Sequence, residues 1–364
     1  MLELVRYDHG AAAVVLRIPD LEAPYLCMKV GVLTSGGDCP GLNAGIIGVI
    51  ESLELAGHTP VLLSDGFASL TGDELRVYNL KQVTDRAHLF RQGGTFIGSS
   101  RVDLREGLRD AMRNLNEVNI DHIIAFGGDG SLRGCAALSE EGIPVCVIPK
   151  TIDNDVSATE LTIGFSTSVD SGTKLIDNLA DTMQSHKSNF IVEAMGGQSG
   201  RLALAIAKAS YVNGCIVGEM PWTFNEIKDR INAHSDGTII VVAEGARAPD
   251  LNLDTSLREC CLSASRLLVS DIIAHWLSHE GIRARGIELG HTLRGGRPNH
   301  VDRTLAYACG KLAVETLQSK QSLVITLKDN KLGTTPVDSV DLATRTLNES
   351  EIEAESRLIV GSRS

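Results

Sequence analysis

Two loops near the middle of the chain contain the groups that phosphoryl transfer requires. The first is residues 127–131 (GGDGS) and the second is residues 149–155 (PKTIDND). Glycines let backbone N–H groups approach phosphate, and a carboxylate such as Asp129 is a typical ligand for Mg²⁺. In the second loop, an aspartate placed beside a substrate hydroxyl would act as a general base. Taken alone, the Asp153-to-Asp155 triplet also fits a helix cap or a solvated turn, so the wider sequence has to decide.

Each of these loops follows an apolar run that indicates a buried strand. The runs are residues 123–126 and 145–148. In open α/β sheets, ligands bind at the carboxyl ends of the parallel strands, where both loops would meet. Another strand leads into the glycine turn 34–41 (TSGGDCPG) and then into a helix. Such a turn before a helix N-terminus is a typical anion site, although by itself it also fits an ordinary βα connection.

The remainder of the chain repeats the order strand, loop, helix, which predicts a parallel α/β architecture. We expect two α/β halves that divide near Thr162. Among the later elements, residues 257–280 have the pattern of a long helix. The tail from Asp329 is polar and poorly periodic until a helical pattern near 347–357.

Composition limits the kinds of partner. The chain has 364 residues, 43% of them hydrophobic, with a net charge of −12 and a pI near 5.3. An acidic balance argues against a nucleic acid or an anionic membrane as partner, while a small anionic substrate in a local basic pocket remains compatible. No apolar run approaches the length of about 18 residues that a membrane span needs.

The expected compartment is the cytoplasm. Residues 1–27 lack the basic and apolar regions of a signal peptide, and we interpret them as an N-terminal extension before a fold that starts near Met28. Within the extension, the apolar run 14–18 is either part of an appendage or an edge strand. The eight cysteines show no CxxC spacing, which predicts reduced thiols and no structural zinc.

Several stretches, taken together, resemble the phosphofructokinase family. They occur in the family's order and spacing over about residues 28–345: GVLTSGGDCPGLNA (31–44), GGTFIGSSR (93–101), FGGDGS (126–131), PKTIDND (149–155), TIGF (162–165), VEAMGG (192–197), VAEG (242–245) and GIELGHTLRGGRPNHVDR (286–303). The resemblance implies two Rossmann-like α/β/α domains with the active site in the cleft between them. Residues 28–164 with 293–345 would hold the nucleotide, and residues 165–292 with 346–364 would hold the sugar phosphate.

The resemblance also implies roles for single residues on the nucleotide side. ATP and Mg²⁺ would be bound by Gly36, Gly37, Arg101, Gly128, Asp129, Gly130, Ser131 and Lys150, with Asp129 as the metal ligand. Asp153 matches the base that takes the proton from the sugar hydroxyl. Thr151 matches a group that orients the phosphoryl group, and Arg101 matches an arginine that stabilises charge in the transition state.

A second set of residues resembles the family's sugar-phosphate site. It comprises Thr151, Asp153, Asp155, Met195, Gly196, Gly197, Glu244, Arg285, His291 and Arg294. Arg285 matches an arginine that acts across a subunit interface, which implies a homodimer or homotetramer. The default reaction is therefore phosphoryl transfer from ATP to fructose 6-phosphate, giving fructose 1,6-bisphosphate.

Two positions give opposite indications about the phosphoryl donor. Gly130 is typical of the ATP-dependent members, whereas Lys150 is typical of the pyrophosphate-dependent ones. An aspartate at position 130 would place negative charge and bulk where the α-phosphate lies, and Gly130 leaves that space open. We therefore favour ATP, with pyrophosphate as the alternative.

The sequence departs from the family pattern at the sugar-phosphate site. Gly197 and Ser188 stand where the family has arginines, and each lost phosphate contact is worth roughly 1.5–3 kcal/mol. Arg201 and Lys187 are candidates to compensate. Otherwise the acceptor is another ketose phosphate, such as an epimer of fructose 6-phosphate or sedoheptulose 7-phosphate, or a diphosphoryl group is transferred with release of AMP.

Two further hypotheses concern regulation and class. The effector-binding arginines of regulated members would fall at Ile47 and Glu51, so control by ADP or phosphoenolpyruvate is not expected. The missing arginines also suggest a non-catalytic subunit that only binds sugar phosphate, although Asp129 and Asp153 argue for catalysis. Lipid and NAD kinases share the GGDG turn, but the stretches TIDND and LGHTLRGG argue against that class.

Overall fold

The computed structural model describes residues 3–6, 12–15, 27–247 and 268–361. Within them, strands form a large and a small sheet, and both have a parallel centre. In spatial order the large sheet contains Lys331–Pro336, Leu323–Lys328, Val145–Thr151, His122–Gly127, Lys29–Thr34, Thr59–Leu63 and Val77–Tyr78, and Ile163–Gly164 pairs with the end of Val145–Thr151. Its first and last strands are antiparallel to their neighbours, and the others are parallel.

The small sheet is parallel throughout the described residues. Its order is Gly214–Ile216, Thr238–Ala243, Asn189–Ala194 and Ala284–Glu288. The end of the chain returns to this sheet, where Ile359 bridges Cys215 in parallel. The last of the four strands pairs on one side only within the described part, so it forms an edge.

Helices cover the faces of both sheets. On the large sheet's side they are Leu42–Leu55, Phe67–Leu70, Arg86–Arg91, Leu108–Val118, Asp129–Glu140 and His300–Glu315, and on the small sheet's side Phe165–His186, Arg201–Ala209, Phe224–Asn232, Val269–His279 and Glu349–Ala354. Short 3₁₀ helices are Leu80–Gln82, Leu104–Gly107, Gly290–Leu293, Leu317–Ser319 and Val337–Ser339. Because parallel strands are covered on both faces, their sequences are nearly all apolar.

Alternating strand residues point into different cores. In strand Lys29–Thr34, Val30 and Val32 belong to a core that also contains Val192 of the small sheet, whereas Leu33 belongs to the core on the large sheet's other face. One continuous apolar core therefore joins the two sheets. The period-two alternation of strand side chains makes this double packing possible.

Glycines bring helix Leu42–Leu55 against helix His300–Glu315 at close range. A Cβ atom at Gly48 would lie 2.6 Å from the carbonyl oxygen of Tyr307, and one at Gly310 would lie 2.5 Å from that of Gly45. Only glycine permits this backbone approach. The first of these helices begins directly after the 34–41 turn, so this packing fixes a site-forming loop.

The predicted α/β class with parallel sheets is confirmed, and most helices and strands lie where the patterns place them. The tail from Asp329 is the main difference, because it contains strand Lys331–Pro336. Asp329 and Asn330 both have positive φ, 50° and 59°, which suits a tight hairpin turn to the preceding strand. This edge strand is polar, so it lacks the apolar alternation that predicts strands.

Two other expectations are answered only in part. For the predicted helix 257–280, the structure describes Val269–His279, and residues 257–267 lie outside the described part. In the N-terminal extension, strand Glu3–Arg6 pairs antiparallel with Ala12–Val15. The start of the 14–18 run is therefore in a separate hairpin rather than at the edge of a main sheet, and residues 16–18 lie outside the described part.

Candidate functional site

The carboxyl ends of the parallel strands of the large sheet open into a cleft of about 440 Å³. Its lining is Ser35, Gly36, Gly37, Arg101, Val102, Asp103, Arg105, Gly128, Asp129, Gly130, Ser131, Arg133, Lys150, Thr151, Asp153 and Arg294. All the residues predicted to bind nucleotide and metal are among them. Thr151, Asp153 and Arg294, predicted for the sugar phosphate, lie in the same cleft.

Lys150 lies beneath the glycine turn. Its side chain is only 2% exposed, and its Nζ donates to the carbonyl oxygen of Ser35 at 2.7 Å and to that of Gly37 at 2.5 Å. Burial lowers the pKa of Lys150 to about 8. The ammonium group thus holds the backbone of the turn, which lines one side of the cleft.

The GGDGS turn leads into the helix that Asp129 begins. A Cβ atom at Gly127 would lie 2.1 Å from Cβ of Ser131, so this tight connection requires glycine. Around Gly130, by contrast, nothing lies within 4 Å of an added Cβ. The N-terminus of helix Asp129–Glu140 and the open space at Gly130 together leave room for an anion.

Three carboxylates lie close enough to interact: Asp129 and Asp153 line the cleft, and Asp155 lies outside its lining but near both. Burial raises the pKa of Asp153, and the nearby Glu244 raises it further, while Arg294 opposes both. Burial, with the negative charges of Asp153 and Asp129, raises the pKa of Asp155 to about 7. Within the described part of the chain, Oδ1 of Asp153 is buried without a hydrogen-bond donor. This oxygen is therefore available to accept a proton from a substrate.

The chemistry of these oxygens fits a magnesium ion. Mg²⁺ prefers one or two carboxylates and keeps several waters, rather than an all-protein cage. Asp129 faces the cleft, and its negative charge acts on Asp155, so a divalent cation held by Asp129 would offset this repulsion. Among the described residues, no three histidine, cysteine or acidic side chains converge on one point, which is compatible with this open kind of site.

The loop after strand Asn189–Ala194 approaches Asp153 from the small sheet. Oε1 of Glu244 accepts hydrogen bonds from the backbone N–H groups of Gly196 at 3.0 Å and Gly197 at 2.6 Å. A Cβ atom at Gly197 would lie 3.7 Å from Oδ2 of Asp153. Met195 precedes this loop and is 9% exposed. These predicted sugar-phosphate residues thus adjoin the carboxylates.

Arg294 crosses from the short helix Gly290–Leu293 to the glycine turn. Its Nη1 lies 3.4 Å from the carbonyl oxygen of Asp38, and a Cβ atom at Gly37 would lie 2.5 Å from that nitrogen. His291 is exposed on the same short helix, and Arg285 is exposed on edge strand Ala284–Glu288. Neither of these two lines the cleft of this single chain.

Sequence reasoning missed several residues of the cleft, including the cations Arg105 and Arg133. Each stands four residues after a predicted site residue, Arg101 or Asp129. Arg133 is one helical turn after Asp129, so it lies on the same face of its helix. That spacing is the signal by which Arg133 was identifiable.

Comparison with known proteins agrees with the geometry. The sequence profile of the family described as phosphofructokinase matches residues 29–317. The chain belongs to the phosphofructokinase family. As a member, it is an enzyme that transfers a phosphoryl group to a hydroxyl acceptor.

Named relatives cover most of this phosphofructokinase. ATP-dependent 6-phosphofructokinase 3 of Streptomyces coelicolor is 37% identical over 303 residues, which is 80% of this chain and 87% of the relative. ATP-dependent 6-phosphofructokinase of Listeria monocytogenes is 32% identical over 341 residues, 91% of this chain and 99% of the relative.

Solved structures show the same fold. Phosphofructokinase from Saccharomyces cerevisiae matches with a TM-score of 0.71 and 28% identity, over 85% of this chain and 44% of the yeast chain. Pyrophosphate-dependent phosphofructokinase from Nitrosospira multiformis matches with a TM-score of 0.75 and 20% identity, over 88% of this chain and 86% of that one. Within the described residues, no helix has the length and apolar character needed to cross a membrane.

Arg201, one of the two candidates to compensate for the missing arginines of this phosphofructokinase, is paired with a carboxylate of its own chain. Arg201 is 9% exposed, and its two terminal nitrogens each donate to a carboxylate oxygen of Glu351 at 2.7 Å. Lys187 is exposed and lies 3.5 Å from Asp236. Neither Arg201 nor Lys187 lines the cleft. Among the cations predicted to bind the sugar phosphate, Arg294 lines it in the described part of the chain.

Ile47 and Glu51, which stand where regulated members have effector-binding arginines, both make contacts within the fold. Ile47 is buried in the core that joins the two sheets. Glu51 accepts a hydrogen bond from the hydroxyl of Tyr307 at 2.8 Å and lies 4.0 Å from Arg86. A carboxylate in this position would repel an anionic effector, and the absence of that type of control stays a prediction.

Proposed function

We propose that this phosphofructokinase transfers the terminal phosphoryl group of Mg²⁺-bound ATP to fructose 6-phosphate, giving fructose 1,6-bisphosphate. One observation carries the proposal: the buried, unpartnered oxygen of Asp153 shares a cleft with the GGDGS turn and Lys150. A base and a phosphate cradle are thereby held side by side. Positioning and charge neutralisation are the main demands of phosphoryl transfer.

The donor is ATP. The open space beside Gly130 suits a nucleotide, and both relatives named above are ATP-dependent 6-phosphofructokinases. Lys150, the residue typical of pyrophosphate-dependent members, has its ammonium bonded to the carbonyls of the glycine turn. Because these hydrogen bonds hold the ammonium against the backbone of the turn, Lys150 is compatible with a nucleotide bound in the cleft.

Each cleft residue then has a chemical task. The carboxylate of Asp153 accepts the proton of the acceptor hydroxyl as that oxygen attacks phosphorus. Arg101 neutralises charge on the transferring group, and the backbone of Gly36, Gly37 and the GGDGS turn binds the nucleotide phosphates. Asp129, with Asp155 nearby, would hold Mg²⁺, which would supply further neutralisation of phosphate charge.

The sugar phosphate binds on the side of the small sheet. Glu244 and the Met195–Gly197 loop would contact the sugar, and His291 with Arg294 would contact its phosphate. The placement of Glu244 against the loop that adjoins Asp153 supports this assignment. Residues 28–164 with 293–345 form the nucleotide-binding domain, and residues 165–292 with 346–364 form the sugar-binding domain.

The active form is a homo-oligomer. Arg285 is exposed on an edge strand and lies outside the cleft of its own chain. It would reach the sugar phosphate of a neighbouring subunit. Sedimentation of the purified enzyme, with Arg285→Ala as a variant, tests this: we expect a dimer or larger species and a raised KM for fructose 6-phosphate in the variant.

The deciding experiment pairs each donor with each acceptor. ATP and pyrophosphate are combined with fructose 6-phosphate, its C3 epimer and sedoheptulose 7-phosphate, and nucleotide products are resolved. We expect the highest kcat/KM with ATP and fructose 6-phosphate, with release of ADP. Greater activity with another acceptor, or release of AMP, would overturn the assignment, and binding without any turnover would indicate a non-catalytic subunit.

A further inference from the structure

Residues 341–348, named here the C-terminal strap, run past the carboxylates of the cleft from outside the predicted motifs. Ser157 donates its hydroxyl hydrogen to the carbonyl oxygen of Asp341. The backbone N–H of Arg345 donates to the carbonyl oxygen of Asp155 at 2.6 Å, and Nη1 of Arg345 donates to that of Thr159 at 2.8 Å. The strap is thus bonded to the loop that carries Asp155.

The far end of the strap is fixed to the small sheet's half of the molecule. Nη2 of Arg201 donates to the carbonyl oxygen of Thr346 at 2.8 Å, and the backbone N–H of Leu347 donates to Oε1 of Glu219 at 3.0 Å. Leu347 is buried in the core that joins the sheets. Asn348 then begins helix Glu349–Ala354 with a capping box. These contacts leave the strap little freedom to move.

Held in this way, the strap places one hydroxyl beside Asp129. Oγ1 of Thr344 lies 3.3 Å from Oδ2 of Asp129, and the residue is half-buried. A hydrogen bond to one carboxylate oxygen fixes the rotation of the group and leaves the other oxygen free for a ligand. The hydrogen bonds of Arg345, the next residue, restrain the segment of chain that carries this hydroxyl.

We propose that Thr344 is a positioning residue that orients the Asp129 carboxylate for the metal–nucleotide complex. This inference rests on the proposed function, because it assigns Thr344 a task only if Asp129 binds the metal of the co-substrate. The strap can hold Thr344 in place, because it is hydrogen-bonded to the loop of Asp155 at one end and to Arg201, on the small sheet's side, at the other. The tail beyond residue 317, which the family profile does not match, thereby contributes to the active site.

The test compares Thr344→Val with Thr344→Ser and Thr346→Val. Valine has nearly the shape of threonine without the hydroxyl, and serine restores it. Thr346 is the matched control, because it is an exposed threonine two residues further along the same strap. Calorimetry measures the affinity for ATP with and without Mg²⁺, and steady-state kinetics give kcat and KM.

We expect Thr344→Val to reduce the gain in ATP affinity that Mg²⁺ provides by roughly three- to tenfold, the range for loss of one hydrogen bond of ordinary strength. Affinity for metal-free ATP and the melting temperature should stay unchanged. Serine should restore the gain, and Thr346→Val should behave as wild type. An unaltered Mg²⁺ gain in Thr344→Val, or an equal loss in Thr346→Val, overturns the inference.

Failure of the proposed function gives a different result. Suppose that no sugar phosphate is phosphorylated, but that Mg²⁺ increases the ATP affinity of wild type and not that of Thr344→Val. The proposed reaction is then wrong, and the positioning role of Thr344 stands. If ATP binding by wild type does not respond to Mg²⁺, both are overturned. Normal turnover with an unchanged Mg²⁺ gain in Thr344→Val removes the positioning role alone.

Discussion

The ammonium of Lys150 lies 2.5 Å from the carbonyl oxygen of Gly37, and this bond joins the end of one parallel strand to the glycine turn after another. Together with its bond to Ser35, it makes a buried cation part of the wall of the cleft. The residue that suggested a pyrophosphate donor in the sequence therefore has a support role in the structure.

We expect Lys150→Met to raise the KM for ATP. Methionine keeps the length of the side chain but removes the two hydrogen bonds that hold the backbone of the glycine turn. Initial rates at varied ATP measure this effect. Lys174→Met on the exposed face of helix Phe165–His186 is the control and should not change it. Normal ATP kinetics in Lys150→Met would contradict the support role.

Asp153→Asn should separate catalysis from stability. Loss of the base should lower kcat by about 10²- to 10⁴-fold. Because burial raises the pKa of Asp153, the folded state gains by neutralising this group, and its ionised form lowers stability at neutral pH. Asparagine is neutral at every pH, so the variant should melt at a higher temperature than wild type at pH 7. Full activity in the variant would exclude Asp153 as the base.

His122 should make stability depend on pH. It is buried at the start of strand His122–Gly127, where burial lowers its pKa from 6.5 to about 4. Between these values the unfolded chain binds more protons than the folded one, so stability falls as pH drops from about 6.5 toward 4. The loss from this group is at most roughly 3 kcal/mol.

The comparison of wild type with His122→Leu isolates this contribution. The difference in free energy of unfolding between pH 7 and pH 4.5 should be smaller in the variant, because leucine does not titrate. His234→Gln, at an exposed position, should keep the wild-type pH dependence. Equal pH dependence of wild type and His122→Leu would show that His122 is protonated without cost in the folded state.

Gly130→Asp should weaken binding of ATP more than binding of pyrophosphate. The new carboxylate would enter open space at the start of helix Asp129–Glu140, beside Asp129, where it would repel the α-phosphate of ATP, a group that pyrophosphate lacks. Gly130→Ala is the steric control, since nothing lies within 4 Å of an added Cβ there. A rise in the dissociation constant for ATP in the aspartate variant alone supports the predicted location of the nucleotide. Equal weakening by alanine would indicate a backbone effect instead.

Gly48→Ala should destabilise the fold without altering the site chemistry directly. Its Cβ would meet the backbone of Tyr307 at 2.6 Å, and backbone cannot move aside as a side-chain end can. Overpacking of this kind costs about 1–3 kcal/mol. Thermal denaturation should show the loss, while Gly130→Ala serves again as the tolerated glycine replacement. An unchanged melting temperature would mean that the two helices can separate at no cost.

The sequence by itself determined the architecture and most of the cleft. Apolar runs followed by glycine turns are direct consequences of parallel strands buried on both faces, so they predicted the loops around Gly37, Asp129 and Asp153 that the structure brings together. These features are local in the chain. The roles of the individual residues remain predictions until the variants above are measured.

Only the tertiary structure decided what each cation contacts. Arg201 appeared available for a phosphate, yet it pairs with Glu351, which lies far along the chain. Lys150 bonds to backbone carbonyls of another loop. The polar strap brings Thr344 to Asp129, and no sequence motif predicted this contact. Such contacts depend on long-range packing, and a flexible or polar side chain carries no periodic signal of the partner that folding places beside it.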